Sequence, residues 1–474
     1  MAETIFDVVV VGGGPAGYTC AIRAAQYGLK VALVDANDRL GGTCLLWGCI
    51  PTKALLFSAE LWDQIHHADR YGIEGVGDAA KLNWKAVLAR KDDVISRHTK
   101  GLDFLMKKNK ITTFKGLGTL TGAAKDGVHT VDLKGSDGKT QAVKAKKVVL
   151  ATGSNARMLP GYTADETILT NYEILKIDAV PKSLVVIGSG AVGIEFASIF
   201  KSFGAEVTIL EALPRIVPVE DEEISKELLR LMKKRGFEIN LSIKDTKIEK
   251  NKDGALVSWT DSNGKPQTKQ TEKVLVAVGR APRTEGIGLE KTKITTERGF
   301  IMTNEWQETV EPGVYAIGDI VGGLPQLAHV GGMAGLIVAA RLAGKYARPI
   351  NRTRIPGCTY CEPQIASVGL TEAKAKEQGY TVKVGKFPFV GNSKATILDA
   401  HDGFIKVVSD AKFGEILGVH IIGPNATEII AEAVTAIELE ATIEEMMFTI
   451  HAHPTVAEAL LDAFSSVEGK AVNV

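Results

Sequence analysis

The chain of 474 residues is long enough for about three domains of ordinary size. It carries 56 basic and 56 acidic residues, and this zero formal net charge gives no sign of a nucleic-acid or membrane-surface partner. The N-terminus lacks a secretory signal, and no uncharged apolar run reaches membrane-spanning length, so the sequence predicts a cytoplasmic protein with no membrane partner.

The first unit in the chain, over residues 5–35, has the pattern of a strand, a glycine turn, a helix and a second strand. Gly12, Gly14 and Gly17 form a G-x-G-x-x-G pattern, and the second strand ends at Asp35. The first glycine allows a tight turn, the second lets a pyrophosphate approach the backbone, and the third lets the helix pack on the strand. Asp35 is placed to accept hydrogen bonds from a ribose hydroxyl, so this unit is predicted to bind a dinucleotide.

Two cysteines, Cys44 and Cys49, stand in the glycine-containing stretch that follows. Pro51 suits the first turn of a helix, so we expect the pair at a helix N-terminus, where the helix dipole stabilises a thiolate. That position favours a redox-active pair. A structural disulfide is disfavoured in a reducing cytosol, and a zinc site would need closer spacing and more ligands. No metal site is predicted.

The next part of the chain is predicted to be packing structure. Residues 54–110 have the periodicity of two helical segments, with a break around residues 71–78. Short strands with glycine-containing turns are then expected over residues 112–121, 128–133 and 142–150.

A second dinucleotide unit is predicted to begin near residue 183. Its glycines are Gly188, Gly190 and Gly193, and its second strand ends at Glu211. A glutamate at this place would repel a 2′-phosphate, which favours NAD over NADP, although Arg215 lies four residues further on. The repeat predicts two nucleotide sites in one chain.

Two acidic residues and a histidine in the last part of the chain are candidates for chemistry. Asp319 follows a short apolar strand, at the end where α/β sheets bind ligands, although a turn residue or helix cap would also fit. Residues 351–474 have an α+β pattern without a nucleotide signature. Near their end, Glu458 could orient the imidazole of His453 for general base catalysis; the alternative is a surface turn histidine.

Four motifs occur together and in a fixed order: the stretch G-G-T-C-x-x-x-G-C-I-P-T-K, two G-x-G-x-x-G units, A-I-G-D and H-P-T-x-x-E. By these motifs the chain resembles the pyridine nucleotide–disulfide oxidoreductases over essentially its whole length, and within them the dihydrolipoamide dehydrogenases. The resemblance implies an α/β fold with two Rossmann-like dinucleotide-binding domains, for FAD and NAD, and a C-terminal α+β dimerisation domain. The implied segments are 1–153 (FAD, with the redox disulfide), 154–279 (NAD), 280–350 (second FAD or central segment) and 351–474 (interface).

The resemblance also implies roles for particular residues. FAD would be bound by Gly12, Gly14, Gly17, Asp35, Lys53, Gly116 and Asp319. NAD would be bound by Gly188, Gly190, Gly193, Glu211 and Gly279. Lys53 and Glu195 would form an ion pair beside the flavin. The catalytic residues would be Cys44, Cys49, His453 and Glu458, with the histidine serving the other subunit of a homodimer.

The implied reaction is oxidation of protein-bound dihydrolipoamide to lipoamide with reduction of NAD⁺. The implied partners are lipoyl domains of a 2-oxo-acid dehydrogenase or glycine-cleavage complex. Trp47 and the run over residues 330–334 depart from the family pattern, and they leave open a stand-alone NAD(P)H-dependent reductase or diaphorase for another acceptor. Cys358 and Cys361 are interpreted as ordinary thiols, because no second pair completes a zinc site. A non-enzymatic interaction protein would have no use for a redox pair beside two nucleotide sites.

Overall fold

The computed structural model describes residues 4–135 and 138–473. The α-helices in these ranges are α1 (Pro15–Gln26), α2 (Gly42–Trp47), α3 (Cys49–His66), α4 (Trp84–Lys108), α5 (Ala191–Ser202), α6 (Glu222–Lys234), α7 (Ala328–Leu342), α8 (Glu372–Glu377), α9 (Ser393–Ile397), α10 (Ala426–Glu438), α11 (Ile443–Met447) and α12 (Glu458–Val467). Short 3₁₀ turns occupy Ala68–Tyr71, Ile174–Lys176, Leu289–Lys291, Gly318–Ile320, Arg352–Arg354 and Phe389–Gly391.

The β-strands in the same ranges lie mostly between these helices. They are β1 (Ile5–Val11), β2 (Val31–Asp35), β3 (Thr112–Lys115), β4 (Leu117–Leu120), β5 (His129–Lys134), β6 (Thr140–Leu150), β7 (Ser154–Ala156), β8 (Ile168–Leu169), β9 (Ser183–Ile187), β10 (Glu206–Glu211), β11 (Glu238–Leu241), β12 (Lys244–Asn251), β13 (Gly254–Thr260), β14 (Pro266–Thr271), β15 (Lys273–Val276), β16 (Arg280–Pro282), β17 (Thr296–Glu297), β18 (Phe300–Ile301), β19 (Val314–Ala316), β20 (Gly357–Thr359), β21 (Gln364–Gly369), β22 (Val382–Pro388), β23 (Phe404–Asp410) and β24 (Ile416–Gly423).

The chain divides into two compact units, each built from three segments. The first comprises the residues up to Ala54, Ala86–Arg157 and Gly279–Ile350, and the second comprises Leu55–Lys85, Met158–Val278 and the residues from Asn351 onward. The predicted division into four domain segments stays a prediction.

The first unit is organised around a sheet in the order β3-β2-β1-β6-β5-β4, with β19 also paired to β6. Strands β1, β2, β3, β6 and β19 are parallel, and Val11 of β1 lies beside Val34 and Leu150. These strands are runs of valine and other apolar residues because both faces of a parallel sheet are covered. Their carboxyl ends bring the glycine turn, Asp35 and Asp319 to one edge of the sheet.

Helices α1 and α7 pack on one face of this sheet, with Val8, Val10 and Val338 in the shared core. A Cβ on Gly335 would lie 2.6 Å from the carbonyl oxygen of Ala16, so glycine lets the two helices touch backbone to backbone. The small residues of the atypical 330–334 run lie in α7 and extend this close packing, which gives the departure a structural explanation.

The second unit contains a parallel sheet in the order β11-β10-β9-β15-β8, a three-stranded antiparallel sheet β12-β13-β14, and the antiparallel sheet β20-β21-β24-β23-β22. The last sheet packs against α10 and α12 through a core that includes Phe387, Val419 and Phe464. An α/β fold with two Rossmann-like units and an α+β segment is therefore confirmed.

The structure confirms most predicted elements and divides one of them. The two helical segments after the cysteines are α3 and α4, separated by a short 3₁₀ turn and an irregular stretch. The strand predicted over residues 112–121 is two strands, because β3 pairs parallel with β2 whereas β4 pairs antiparallel with β5. Gly116, with φ of 148°, makes the change of direction between them.

One described stretch, Gly42–His66, is long and apolar enough to cross a membrane by length and composition alone. Core helices pass the same test, and this stretch includes Lys53 and Glu60. It is therefore weak evidence for a membrane location.

Candidate functional site

The first glycine turn has the geometry expected for dinucleotide binding. Gly12 has φ of 115°, and a Cβ there would collide with the carbonyl oxygen of Ala151. A Cβ on Gly17 would collide with the carbonyl oxygen of Gly12, so both positions require glycine. At Gly14 such a Cβ would lie 3.7 Å from Cα of Gly42, which is ordinary van der Waals contact without a collision. The turn therefore fits the pyrophosphate of a dinucleotide at the N-terminus of α1.

Asp35 holds this turn from the end of β2. Its Oδ2 accepts the N–H of Gly13 at 2.5 Å, and its Oδ1 accepts the N–H of Asn37 at 2.7 Å. Its carbonyl oxygen accepts the N–H of Gly116 at 2.9 Å, which brings another predicted FAD-binding residue to the same edge. The carboxylate is buried beside the turn, as the prediction of a ribose contact requires.

The cysteine stretch is fastened directly to the glycine turn. The N–H of Gly41 donates to the carbonyl oxygen of Gly13 at 2.9 Å. Gly42 has φ of 56°, and a Cβ there would lie 2.6 Å from Cα of Gly14, so the two backbones are in contact. This contact fixes the start of α2, and hence Cys44 in its first turn, beside the expected cofactor.

Cys49 begins α3, as Pro51 predicts, whereas Cys44 lies near the start of a separate short helix, α2. Cys44 is the third residue of α2, and Cys49 is the first residue of α3. The two thiols are unbonded but share a side-chain hydrogen bond, so they are close enough to form a disulfide on oxidation. That hydrogen bond and burial raise the pKa of Cys44, against the opposing charge of Lys53. The hydrogen bond and burial therefore disfavour a thiolate at Cys44, although this residue lies near the start of a helix.

Two aromatic residues surround the cysteines. Burial raises the pKa of Tyr18, and the two cysteines raise it further, so the phenol stays neutral beside the pair. Trp47 packs into an apolar cluster that includes Ile95 and Leu102 of α4. This packing explains the unusual tryptophan by its contacts with α4.

Asp319 belongs to a polar chain that the sequence did not reveal. It lies in a 3₁₀ turn after β19, and its Oδ2 accepts a 2.5 Å hydrogen bond from the hydroxyl of Ser154. Arg280 donates from Nε to that hydroxyl at 2.7 Å and from Nη2 to the Ser154 carbonyl oxygen at 2.8 Å. Nη2 also reaches Oγ1 of Thr43 at 3.5 Å. The only sequence signals were the positions of Ser154 and Arg280 just after buried strands.

The second glycine turn repeats the geometry of the first. A Cβ on Gly188 would lie 2.5 Å from the carbonyl oxygen of Ala277, and one on Gly193 would collide with the carbonyl oxygen of Gly188. A Cβ on Gly190 would meet nothing within 4 Å, so the space over this glycine is open.

Glu211 holds the second turn through Ser189. Its Oε2 accepts the N–H of Ser189 at 2.8 Å and the hydroxyl of Ser189 at 2.6 Å. The free space above Gly190, together with this buried acid, fits a second dinucleotide.

The hydrogen bonds of Gly279 and Glu195, two further residues predicted at the cofactor sites, are well defined. Gly279 has φ of 105°, and its carbonyl oxygen accepts the N–H of Arg157 at 3.0 Å. Glu195 is buried in α5 and accepts the N–H of Tyr360 at 3.0 Å. The ion pair between Lys53 and Glu195 stays a prediction.

His453 and Glu458 form the predicted pair in the second unit. Nδ1 of His453 lies 2.9 Å from Oε1 of Glu458, and the imidazole is 71% exposed. Burial raises the pKa of Glu458, but the N–H of Thr455 and the imidazole outweigh it and hold that pKa below its usual value. The carboxylate is therefore charged and can orient the ring with Nε2 facing outward.

The sequence interpretation missed a second histidine–carboxylate pair two residues earlier. Nε2 of His451 lies 2.8 Å from Oε1 of Glu432, and this contact raises the pKa of the histidine despite its burial. The pair joins the segment before His453 to α10. Within residues 4–135 and 138–473, no group of three or more histidine, cysteine or acidic residues is placed to hold a metal ion.

Comparisons with known proteins cover almost all of this chain. Residues 6–335 match the family model of the pyridine nucleotide-disulphide oxidoreductases, and residues 355–464 match the model of that family's dimerisation domain. The dihydrolipoyl dehydrogenase of Bacillus subtilis is 44% identical over 99% of both chains, and that of Rhizobium etli is 43% identical over 100% of both. The crystal structure of LpdA from Mycobacterium tuberculosis aligns with a TM-score of 0.89 at 26% identity, covering 96% of this chain and 98% of that one.

Proposed function

Because the chain belongs to the pyridine nucleotide-disulphide oxidoreductase family, we propose that it oxidises dihydrolipoamide to lipoamide and reduces NAD⁺. The observation that carries this proposal is the cysteine pair held against the first glycine turn. A redox pair fixed by backbone contacts at a dinucleotide site is placed to exchange electrons with the bound cofactor.

The pair exchanges electrons with the substrate by thiol–disulfide exchange. In the oxidised enzyme a substrate thiolate attacks Sγ of Cys44, the Cys44–Cys49 bond breaks, and Cys49 leaves as a thiolate. The second substrate thiol, as a thiolate, then attacks the substrate sulfur that is bonded to Cys44, and Cys44 leaves and takes up a proton. Lipoamide leaves with its ring closed, and both cysteines are reduced by two electrons in total.

The raised pKa of Cys44 supports this division of roles. A thiol with a raised pKa takes up a proton when it is displaced. In this proposal Cys44 is the sulfur that the substrate attacks, and Cys49 is the sulfur that holds the charge after the first step.

FAD at the first turn and NAD⁺ at the second are the cofactors. A bound flavin would supply the two-electron chemistry that connects the cysteine pair with hydride transfer to NAD⁺. The residues for FAD are Gly12, Gly14, Gly17, Asp35, Lys53, Gly116 and Asp319. The residues proposed for NAD are Gly188, Gly190, Gly193, Glu211 and Gly279, and Glu195 is the proposed ion-pair partner of Lys53 beside the flavin.

Glu211 supports NAD⁺ rather than NADP⁺ as the acceptor. Its carboxylate is buried beside Ser189 and accepts three hydrogen bonds from the turn and from Leu213. A 2′-phosphate placed there would face this negative charge at close range, whereas a ribose hydroxyl could donate to it.

His453 is the proposed base that takes the proton from the substrate thiol. Its Nδ1 is held by Glu458, which leaves Nε2 on the exposed side of the ring. Residues 355–464 are a dimerisation domain, so the chain forms a homodimer. The histidine serves the cysteine pair of the other subunit in this proposal.

We propose lipoyl domains of a 2-oxo-acid dehydrogenase or glycine-cleavage complex as the partners, and the cytoplasm as the location. A reducing compartment returns displaced thiols to their reduced state and suits a catalytic cysteine pair. Trp47, which had left another acceptor open, is accounted for by its packing on α4.

Anaerobic turnover of dihydrolipoamide with NAD⁺, and separately with NADP⁺, tests the proposal. We expect fast turnover with NAD⁺ only, together with a long-wavelength absorption band from the Cys49 thiolate beside the flavin. Cys44→Ser and Cys49→Ser should each abolish turnover while the protein keeps its flavin. Full turnover by either variant would remove the disulfide from the mechanism.

His453→Gln tests the proposed base. We expect a fall in kcat of about 10²-fold, because a neutral amide cannot take the thiol proton. His98→Gln, at another exposed histidine, is the matched control and should keep the wild-type rate. A near-normal rate in His453→Gln would leave this histidine as a surface turn residue.

A further inference from the structure

Arg280 makes the polar chain that connects Asp319 to the residue before Cys44. We propose that Arg280 is a positioning residue for this site: it orients Asp319 through Ser154 and steadies the first turn of α2 through Thr43. This proposal deepens the proposed function, because Asp319 is the acid expected to bind FAD and Thr43 precedes Cys44. All five residues belong to the first unit.

The direction of the hydrogen bonds in this chain is fixed by chemistry. A guanidinium can only donate, so the hydroxyl of Ser154 must accept from Nε of Arg280 at 2.7 Å. The single hydrogen of that hydroxyl then points to Oδ2 of Asp319. Arg280 therefore selects the orientation in which Ser154 donates to Asp319. Nε of Arg280 also lies 3.9 Å from Oδ2 of Asp319, so the two opposite charges face each other.

The same guanidinium reaches the cysteine side of the site. Nη2 of Arg280 donates to the carbonyl oxygen of Ser154 at 2.8 Å and lies 3.5 Å from Oγ1 of Thr43. Oγ1 of Thr43 lies 3.5 Å from the same carbonyl oxygen. Because Thr43 lies in the first turn of α2, one side chain connects the cofactor acid with the turn that carries Cys44.

Lysine could not make these contacts together. The planar fork of arginine places two donors on Ser154 at fixed angles, whereas an ammonium is a single point charge on a flexible chain. The side chain of Arg280 is only 18% exposed, so water replaces it poorly. Arg280 therefore contributes two separable properties, the fixed directions of its hydrogen bonds and its positive charge. A lysine variant distinguishes them, because it keeps the charge and loses the fixed directions.

The backbone around Arg280 does not depend on its side chain. Strand β16 pairs with β7, with Arg280 opposite Ala156. The N–H of Arg283 also donates to the carbonyl oxygen of Gly153 at 2.8 Å. Variants of the Arg280 side chain are therefore expected to fold. Arg283 is the matched control, because its Nε reaches only the exposed Oδ1 of Asn155, at 2.8 Å.

The first test measures release of FAD from the purified dimer. We expect Arg280→Met to release FAD about 10-fold faster than wild type, because a charge-assisted hydrogen bond to the chain is lost. Arg280→Lys and Ser154→Ala should also release FAD faster, whereas Arg283→Met should match wild type. A wild-type rate in Arg280→Met, or an equal acceleration in Arg283→Met, would overturn the proposal.

The second test measures alkylation of the reduced cysteines by iodoacetamide as a function of pH. Arg280→Met removes a positive charge 3.5 Å from Oγ1 of Thr43, the residue before Cys44, so the midpoint of alkylation should rise. Arg280→Lys keeps the charge, and its midpoint should stay at the wild-type value although FAD release is fast. Equal midpoints in wild type and Arg280→Met would overturn the connection to the cysteine side.

A double variant tests whether the residues act as one chain. If Arg280 acts through Ser154, then Arg280→Met with Ser154→Ala releases FAD no faster than Arg280→Met alone. If the two substitutions instead multiplied their effects on the rate of FAD release, the two residues would act separately. This result would overturn the proposal that Arg280 acts through Ser154. None of these readouts requires a lipoyl substrate, so failure here is distinguishable from absence of dihydrolipoamide turnover in the wild-type protein.

Discussion

The two glycine turns of this chain share one backbone plan but differ in what covers them. In each, the acid at the end of the second strand holds the residue between the first two glycines, Asp35 through Gly13 and Glu211 through Ser189. In each turn, a residue further along the chain also donates its N–H to the carbonyl oxygen of Gly13 or Ser189, the residue between the first two glycines. Gly41 makes this contact at 2.9 Å in the first turn, and Val217 makes it at 3.0 Å in the second.

After this contact the two copies diverge. In the first copy the chain continues with Gly42, whose Cα touches the turn at Gly14, and then carries the cysteines. In the second copy it continues away from Gly190, which has nothing within 4 Å of its Cβ position, and enters α6 through Asp221. A covered turn suits a cofactor that stays bound, and an open turn suits a nucleotide that must leave in every cycle.

Beyond Val217, the segment after the second turn is held by ion pairs to a buried lysine. Lys406 is only 3% exposed, and its Nζ lies 3.1 Å from Asp221, 2.8 Å from Glu223 and 2.8 Å from Glu372. Asp221 also caps α6 by accepting the N–H of Glu223. The return segment of the first copy thus carries redox chemistry, and that of the second copy anchors α6 to the last sheet.

The largest expected effect comes from the third glycine of each turn. Gly17→Ala and Gly193→Ala both force a Cβ onto a backbone carbonyl, at a cost of about 3 kcal/mol in the free energy of unfolding. We expect Gly17→Ala to be purified without flavin and without activity, and Gly193→Ala to keep its flavin but lose NAD⁺ reduction. Absorbance at flavin wavelengths and dihydrolipoamide-dependent reduction of the flavin measure the two outcomes. Flavin loss in both variants would show that the turns are not independent.

The buried lysine gives the next largest effect. Lys406→Met should lower the free energy of unfolding by about 3 kcal/mol, because it leaves the buried carboxylate of Asp221 without its partner. Lys386→Met is the matched control: Lys386 is 44% exposed and pairs with Glu223 at 2.7 Å, so its loss should cost less than about 1 kcal/mol. Urea unfolding of both variants gives the comparison. Equal losses would mean that the cluster behaves like a surface network.

The carboxylates around Lys406 also predict how the free energy of unfolding falls at low pH. Burial raises the pKa of Glu223, but Lys386 and Lys406 outweigh it and lower that pKa to about 2. Hydrogen bonds from Lys376 and Lys406 also lower the pKa of Glu372. Carboxylates with a lowered folded-state pKa stabilise above their ordinary pKa of 4.5 and lose that contribution as pH falls toward 2. Lys406→Met should flatten this fall, and an unchanged slope would assign it to other groups.

The sequence predicted those parts of the molecule whose chemistry is local in the chain. The glycine turns, the acids that follow them, and the start of α3 at Cys49 all depend on residues within one strand–turn–helix unit. His453 and Glu458 are likewise five residues apart. Such patterns are visible because backbone sterics and helix ends impose them directly.

Contacts between distant segments could not be predicted in this way. Ser154, Arg280 and Asp319 come together only because β7 pairs with β16 and β19 pairs with β6. Lys406 is a charged residue in a strand, and its burial depends on carboxylates almost two hundred residues earlier in the sequence. The strand over residues 112–121 was predicted whole because its two halves differ in their partners and not in their residue types.

Substituting the acids at the strand ends, Glu211 and Asp35, gives the next largest expected effect, which is on cofactor binding. Glu211→Gln should raise the Kd for NAD⁺ by about 10- to 100-fold, because an amide is a weaker acceptor for the ribose hydroxyls than a carboxylate. Asp35→Asn should accelerate FAD release by a similar factor without changing the Kd for NAD⁺. Fluorescence titration with NAD⁺ and flavin release after dilution measure the two. An unchanged Kd in Glu211→Gln would place the ribose away from this residue.

Substituting the second glycine of each turn gives the smallest expected change in the free energy of unfolding. It is also the most direct test of the difference between the first turn, which Gly42 covers, and the open second turn. A methyl group at Gly190 meets open space, and one at Gly14 has its nearest neighbour at 3.7 Å, so alanine at either position should leave the free energy of unfolding of the cofactor-free protein within about 0.5 kcal/mol. Each methyl group would nevertheless occupy the space into which a pyrophosphate must come. We therefore expect Gly190→Ala to raise the Kd for NAD⁺ about tenfold and to retain flavin.

Gly14→Ala should show the reverse behaviour, with faster release of FAD and an unchanged Kd for NAD⁺. The first turn is covered by Gly42, and the second is not. We therefore expect slow rebinding of FAD to Gly14→Ala, so its defect should persist when free FAD is added in excess during purification. The defect in Gly190→Ala should disappear as soon as NAD⁺ is raised above its new Kd. If instead both defects were relieved equally fast by added ligand, the covering contact between Gly42 and Gly14 would not distinguish a retained cofactor from an exchanging one.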